Sequence, residues 1–298
     1  FMDLIDECKN IAKKLTKKEN CMFLSSADDW FKQLFENLND NIKTIYIPNE
    51  GGWLFYLKAK KFGYEVVKYD TLNGIVDIDN LNIENNTLII VNSSPGYLIN
   101  QNLKKIHEIT KKKNCILIND ACGSIGSPYA KIGDVIIFSC GKHKIINNFY
   151  GGFICYNNKL KNIIETQSNE NKINKVKIIN LKEFMSNIKK RIEFLLNKKK
   201  ELFEKIQNDN ILNKYNIIFS DNVDFKKYGV NLFLQLDDNC FMEKEIIIKN
   251  KKIKKLELCD KIKNHINEKY SEFEYTLCPR YIRLNKLGIS FEIKRLKN

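Results

Sequence analysis

One stretch of this chain brings a lysine close to the ends of apolar runs. Val135-Ile-Ile-Phe138 leads into Ser139, and Lys144 follows five residues on. Upstream, Cys115-Ile-Leu-Ile118 leads into Asn119 and Asp120, and downstream Gly151-Gly152 opens another apolar run. An amine, a carboxylate and a hydroxyl at run ends suit a carbonyl cofactor held as a Schiff base. Pyridoxal phosphate (PLP) asks four things of a protein: an amine for its aldehyde, a carboxylate for its ring nitrogen, a cup for its phosphate and an aromatic face for its ring. The cofactor carries the hard chemistry and the protein positions it.

Each requirement has a candidate. Lys144 is the amine, with Lys142 its nearest rival. Asp120 faces the ring nitrogen, or else caps a turn. Ser25, Ser26 and Ala27 open a helix after a strand, and free amides at helix starts bind phosphate; the same serines also read as plain helix caps. Ser139 adds a hydroxyl to that cup. Trp53, after Gly51-Gly52, supplies the stacked ring, or is core. His143 is either a proton shuttle beside Lys144 or a neighbour pointing elsewhere. Arg280 and Arg283 lie three apart, on opposite faces of a strand; one meets a substrate carboxylate or phosphate, or both are structural. His107 and His265 read as helix-surface residues.

The elements that must place these residues follow from the hydrophobic pattern. Candidate strands are Cys21–Leu24, Thr44–Ile47, Glu65–Tyr69, Thr87–Val91, Cys115–Ile118, Asp134–Phe138 and Phe153–Tyr156. Several are continuous apolar runs, as expected when both faces of a sheet are covered. Helical patterns lie over residues 2–19, from Ser25 to about Leu38, over Trp53–Phe62 and over Gln101–Lys113. Strands alternating with helices predict an α/β fold with a mostly parallel seven-stranded sheet. Ligands in such sheets bind beyond the carboxyl ends of the strands. Asp120 and Ser139 sit at such ends. The polar stretch Thr166–Lys177 reads as a linker. Beyond it a long helix from Leu181 to Ile206, a strand Val230–Leu236 and a charged hairpin around Glu245–Lys255 follow. A helix Cys259–Glu268 and a strand pair Tyr281–Leu284 with Gly288–Ile293 complete a smaller α+β unit. The expected division is 1–178 and 179–298.

With 298 residues and 43% apolar content, the chain can bury a substantial core. Its nine cysteines form no C-x-x-C pair, which argues against a disulfide framework or a zinc site and for a reducing, cytoplasmic setting. No run is long enough to cross a bilayer, and no signal peptide is read. The net charge of +14 comes almost wholly from lysine. Bidentate and base-specific contacts favour arginine, so nucleic acid is not the expected partner.

The chain resembles the fold-type I PLP enzymes, and within them the DegT/StrS-type sugar aminotransferases. Members carry Glu-Asp-Ala-Ala-Gln/His-Ala-x-Gly, and Asn119-Asp120-Ala-Cys-Gly-Ser-Ile-Gly126 is similar. They then carry Gly-Asp-x-x-x-Phe-Ser-Phe-x-x-x-Lys and a Gly-Gly turn, matched by Gly133-Asp134 through Phe138-Ser139 to Lys144 and by Gly151-Gly152. Ser25-Ser26-Ala27, Trp53 and the segment Asn92 to Gly96 fall at comparable places. The resemblance spans about residues 20–156. It departs at Gly123, where members have Gln or His near the cofactor's ring hydroxyl, and it lacks a clear Asn-Tyr-Arg segment. The resemblance implies amino transfer from a small amino donor to a keto-sugar nucleotide or other small keto compound, in a homodimer. Two other readings stand beside it: a lyase, decarboxylase or desulfurase on the same scaffold, and a non-catalytic descendant that binds nucleic acid or a protein partner.

Overall fold

A computed structural model describes residues 2–38, 42–51, 54–165, 174–219, 229–248, 251–279 and 282–297. The chain opens with helix α1 (Met2–Thr16), whose Cys8 and Ala12, four apart, turn one face into the core. Strand β1 (Asn20–Leu24) leads through Ser25 and Ser26 into α2 (Ala27–Asn37). Then come β2 (Thr44–Pro48), a three-ten helix Leu54–Phe62 and β3 (Glu65–Tyr69). A small hairpin, β4 (Thr71–Leu72) and β5 (Ile75–Val76), precedes β6 (Leu88–Asn92) and α3 (Leu103–Lys112). Strands β7 (Ile116–Asp120), β8 (Val135–Ser139) and β9 (Gly152–Tyr156) complete the large sheet.

That sheet has the strand order β1-β9-β8-β7-β6-β2-β3. The pairs from β8 through β7, β6 and β2 to β3 are parallel, whereas β9 runs antiparallel to both β8 and β1. Register brings the site segments to one edge. Asn92 pairs with Asp120, and Gly152 pairs with both Ser139 and Leu24. Burial explains the apolar runs: Leu88–Val91, Val135–Phe138 and Phe153–Tyr156 are buried throughout, between α2 and the three-ten helix on one side and α1 and later helices on the other.

The later part of the chain contains α4 (Lys161–Ile164), α5 (Leu181–Ser186) and α6 (Ile188–Gln207). Next come β10 (Leu232–Gln235), a ribbon of β11 (Phe241–Ile248) with β12 (Lys251–Leu258), α7 (Asp260–Lys269), β13 (Tyr275–Cys278) and β14 (Gly288–Phe291). β14 lies between β10 and β13, antiparallel to each. No helix of the described residues is long and apolar enough to cross a membrane.

Several expectations need correction. The long helix expected from Leu181 to Ile206 is two helices, broken at Asn187, a residue type that competes with helical hydrogen bonds and favours ends. The strand expected at Tyr281–Leu284 is not one over its described residues Ile282–Leu284. Arg283 has φ 58°, a left-handed conformation that breaks an extended run, and β13 pairs with β14 instead. The expected helix Trp53–Phe62 is a three-ten helix whose described part starts at Leu54. Most of the linker Thr166–Lys177 lies outside the described residues, but Lys175–Ile178 form a three-ten turn.

Candidate functional site

Lys144 owes its position to a loop pinned at both ends. Ser139 Oγ accepts the Gly141 amide at 3.1 Å, the Asn147 side chain accepts the His143 amide at 3.0 Å, and the Asn148 amide returns to the Cys140 carbonyl at 3.0 Å. Ile145 and Ile146 are buried anchors directly after the lysine. Lys144 is thereby half-buried and faces a cavity, whereas its rival Lys142 is exposed.

That cavity has a volume of about 220 Å³, and Ser26, Ala27, Asp120, Ser139 and Lys144 all line it. Asp28, Tyr97 and Cys122 complete much of its wall. Asp120 is buried at the end of β7. The Tyr56 hydroxyl donates to its Oδ2, and the Cys122 amide donates to Oδ1 at 3.2 Å. Burial, and then the neighbouring Asp120 charge, pushes the Tyr56 hydroxyl well above the usual phenol range, so Tyr56 stays a donor. Burial and then Asp120 push the Cys122 thiol up, against the pull of Lys144.

Ser26 is the N-cap of α2: its Oγ accepts the Asp29 amide at 3.1 Å. The next strand crosses this helix start so closely that a Cβ on Gly152 would lie 2.5 Å from the Ala27 nitrogen. The second glycine of the Gly-Gly pair is therefore a steric requirement. A Cβ at Gly123 already meets Ser94 Cβ and Ser94 O at 2.9 Å and Tyr97 at 3.3 Å. The turn carrying Tyr97, whose φ is 63°, thus packs directly against Gly123. The Tyr97 ring centroid is 5.9 Å from the Lys144 Nζ and 4.4 Å from the Nζ of Lys294.

Not every candidate joins this group. Ser25 is exposed, outside the cavity lining, and its hydroxyl donates to Asp29. His143 also lies outside that lining; burial, then nearby Arg295 and Lys142, lowers its proton affinity. Arg283 borders a separate hollow of about 640 Å³ with Glu50, Lys68 and Lys286. That hollow is larger, but it holds neither Lys144, Asp120 nor Ser139, so the smaller cavity is the candidate site. Trp53 and Arg280 lie outside the described residues. The two helix-surface histidines need correction. His107 approaches buried Asp134 at 3.7 Å, and His265 is buried against Asp209 at 2.8 Å.

Sequence reasoning missed Tyr56, Tyr97 and the fully buried pair Glu292 and Lys294. Burial, then repulsion from Lys144, pushes the Lys294 amine well below the usual lysine range. Nothing local marked them: Tyr56 reaches Asp120 across 64 residues, and Lys294 comes from the far end of the chain to the Tyr97 ring.

No protein-family model matches the chain, and no curated protein matches it. Solved structures do resemble its fold. A ureidoglycine–glyoxylate aminotransferase from Bacillus subtilis superposes with a TM-score of 0.66 at 13% identity, covering 98% of this chain and 79% of that one. A methionine gamma lyase from Micromonospora echinospora gives 0.61 at 10%, covering 78% and 68%. A NifS-like protein from Rickettsia africae gives 0.58 at 14%, covering 80% and 71%. At such identities the likeness shows the fold alone: a mostly parallel seven-stranded sheet flanked by helices, shared with these structures.

Proposed function

We propose that the protein is a PLP-dependent enzyme in which Lys144 attaches the cofactor. One observation carries this reading: an amine, a buried carboxylate, a serine hydroxyl and a helix start line a single cavity at the strand ends of a fold-type I sheet. The donor set fits the group. When bound, PLP supplies an electron sink for a carbanion next to an amine. Lys144 would hold the aldehyde end, and its Nζ, once free of it, would move a proton. Asp120 keeps the ring nitrogen protonated, and Tyr56 fixes Asp120. The α2 amides and Ser139 take the phosphate end. Cofactor contacts by Ser25 and Trp53, and substrate contacts by Arg280, Arg283 and His143, belong to the proposal only as assignments for mutagenesis.

The finer reading is amino transfer from an amino acid such as glutamate to a keto-sugar nucleotide or another small keto compound. It rests on the resemblance of the Asp120-to-Lys144 segment. The proposal includes a homodimer and a division of the chain near residue 178. A different reaction on the same scaffold is told apart by products: transamination leaves a keto acid and an aminated cofactor.

The test is the visible imine absorbance that the purified protein retains after incubation with PLP and removal of the unbound cofactor. It should vanish in Lys144→Ala and survive in Lys142→Ala, and turnover should fall on the order of a thousandfold or more in the former only. Undiminished absorbance in Lys144→Ala would end the proposal.

A further inference from the structure

Helix starts attract anions because their first amides lack acceptors and the dipole is positive there. Here the first turn of α2 reads Ala27-Asp28-Asp29, so two carboxylates already occupy that positive end. The serine hydroxyls are also committed. Ser25 Oγ and Ser26 Oγ both donate to Asp29 Oδ2, the latter at 2.8 Å. With its amide on Ser26 Oγ, Asp29 belongs to the cap.

Asp28 has a different setting. It lines the cavity beside Ser26, Ala27 and Ser139. The charged groups facing it are Asp29 on its own helix, Lys58 from the three-ten helix, Lys144 from the loop after β8 and Asp120 from β7. Among the described lining residues, Lys144 is the one lysine or arginine, against the acids Asp28 and Asp120. Lys144 is engaged at the cofactor's aldehyde end, and a protonated ring nitrogen offsets Asp120. Among the described lining residues Asp28 is then the acid at the phosphate end, with Lys58 pulling on it from outside the lining.

We propose that Asp28 determines how this site receives a phosphate: the cofactor's phosphate binds by sharing one proton with the Asp28 carboxyl, so the cup disfavours a fully ionised phosphate. The proton passes between a carboxylate and a phosphate oxygen; no bond to phosphorus forms or breaks. Burial already pushes the Asp28 carboxyl up from the usual range, against the pull of Lys58 and Lys144. An adjacent phosphate acts in the same direction. The inference rests on the reading that the cavity holds PLP. It goes further in naming a residue set against the cofactor's own charge.

The test compares PLP with pyridoxal, which lacks the phosphate. Wild type, Asp28→Asn and Asp28→Glu are titrated with each compound at one pH and ionic strength, following visible absorbance. The ratio of the two dissociation constants is the readout. Asp28→Asn should shift that ratio toward PLP by about tenfold. Asp28→Glu, which keeps the charge, should stay near the wild-type ratio. Asp28→Ser serves as a second neutral replacement if the asparagine variant folds poorly. A ratio in the neutral variants equal to wild type, or shifted toward pyridoxal, overturns the inference while leaving Lys144 in place. Absence of absorbance with either compound in wild type would instead bring down the Lys144 reading.

Discussion

Two buried aspartates in this molecule each accept a tyrosine hydroxyl and differ in how fully the rest of the carboxylate is filled. Asp120 ends β7 and accepts from the Tyr56 hydroxyl; Asp209, just past α6, accepts from the Tyr270 hydroxyl at 2.9 Å. Asp209 is then saturated. The amides of Ile211 and Leu212 reach it at 2.8 and 2.9 Å, and His265 Nε2 reaches it at 2.8 Å. Burial opposes its charge, yet these hydrogen bonds outweigh burial and hold the carboxyl well below the usual range. Asp120 has the Cys122 amide as its second donor and faces the cavity that Lys144 also lines. A carboxylate has about four lone-pair sites. One that is filled from all sides holds a fold together. One with capacity left toward a cavity can receive a ligand.

The sharpest way to break this contrast is the same substitution at both sites. Asp209→Asn should cost about 2–3 kcal/mol of stability, because buried donors lose a charged acceptor, while turnover per folded molecule is unchanged. Asp120→Asn should cost under about 1 kcal/mol yet lower turnover about a hundredfold or more. Denaturant melts and steady-state assays on both variants decide it; equal losses in both quantities would erase the distinction.

A smaller effect is the acid profile. The folded carboxyl of Asp209 titrates below its unfolded value of about 3.9. Its contribution is complete above the unfolded value and is lost as pH falls through the folded one. Wild type should lose stability from about pH 5 downward, and Asp209→Asn should show a shallower decline in melting temperature. Part of the slope should survive, because the Asp134 carboxyl is also depressed: burial opposes its charge, but His107, the Leu117 amide and Lys159 outweigh burial. The smallest expected difference separates the two tyrosines. Tyr56→Phe and Tyr270→Phe should each cost about 1 kcal/mol, but only Tyr56→Phe should also loosen PLP, by a few fold in a fluorescence titration.

The same contrast explains what could be read from the sequence. That Asp120 and Ser139 end strands was legible because apolar runs stop there, and the sheet brings those ends to one edge, where Lys144 lines the same cavity. Gly152 was legible as half of a motif, although its reason, the close pass over Ala27, is a tertiary fact. Tyr56 was not legible: it sits in a stretch of mixed polarity, and its bond to Asp120 spans 64 residues. His265 was misread because helical spacing fixes relative faces but does not say which face meets a buried acid. Gly123 marked a departure without revealing its cause, the approach of Ser94 and Tyr97.

The turn that carries Tyr97 is gripped from far along the chain. The Asn231 amide takes the Tyr97 carbonyl at 2.8 Å, the Gly229 amide takes that of Leu98 at 3.0 Å, and the Lys199 Nζ reaches the Gly229 carbonyl at 2.7 Å. A half-gene ending at residue 165 would encode every amine, acid and hydroxyl assigned here to the cofactor, and yet leave those turn carbonyls without donors. Such a fragment should not be expected to load. The two halves form a lock and its keyhole plate, and grafting the first onto another partner would mean transplanting residues 199, 229 and 231 as well.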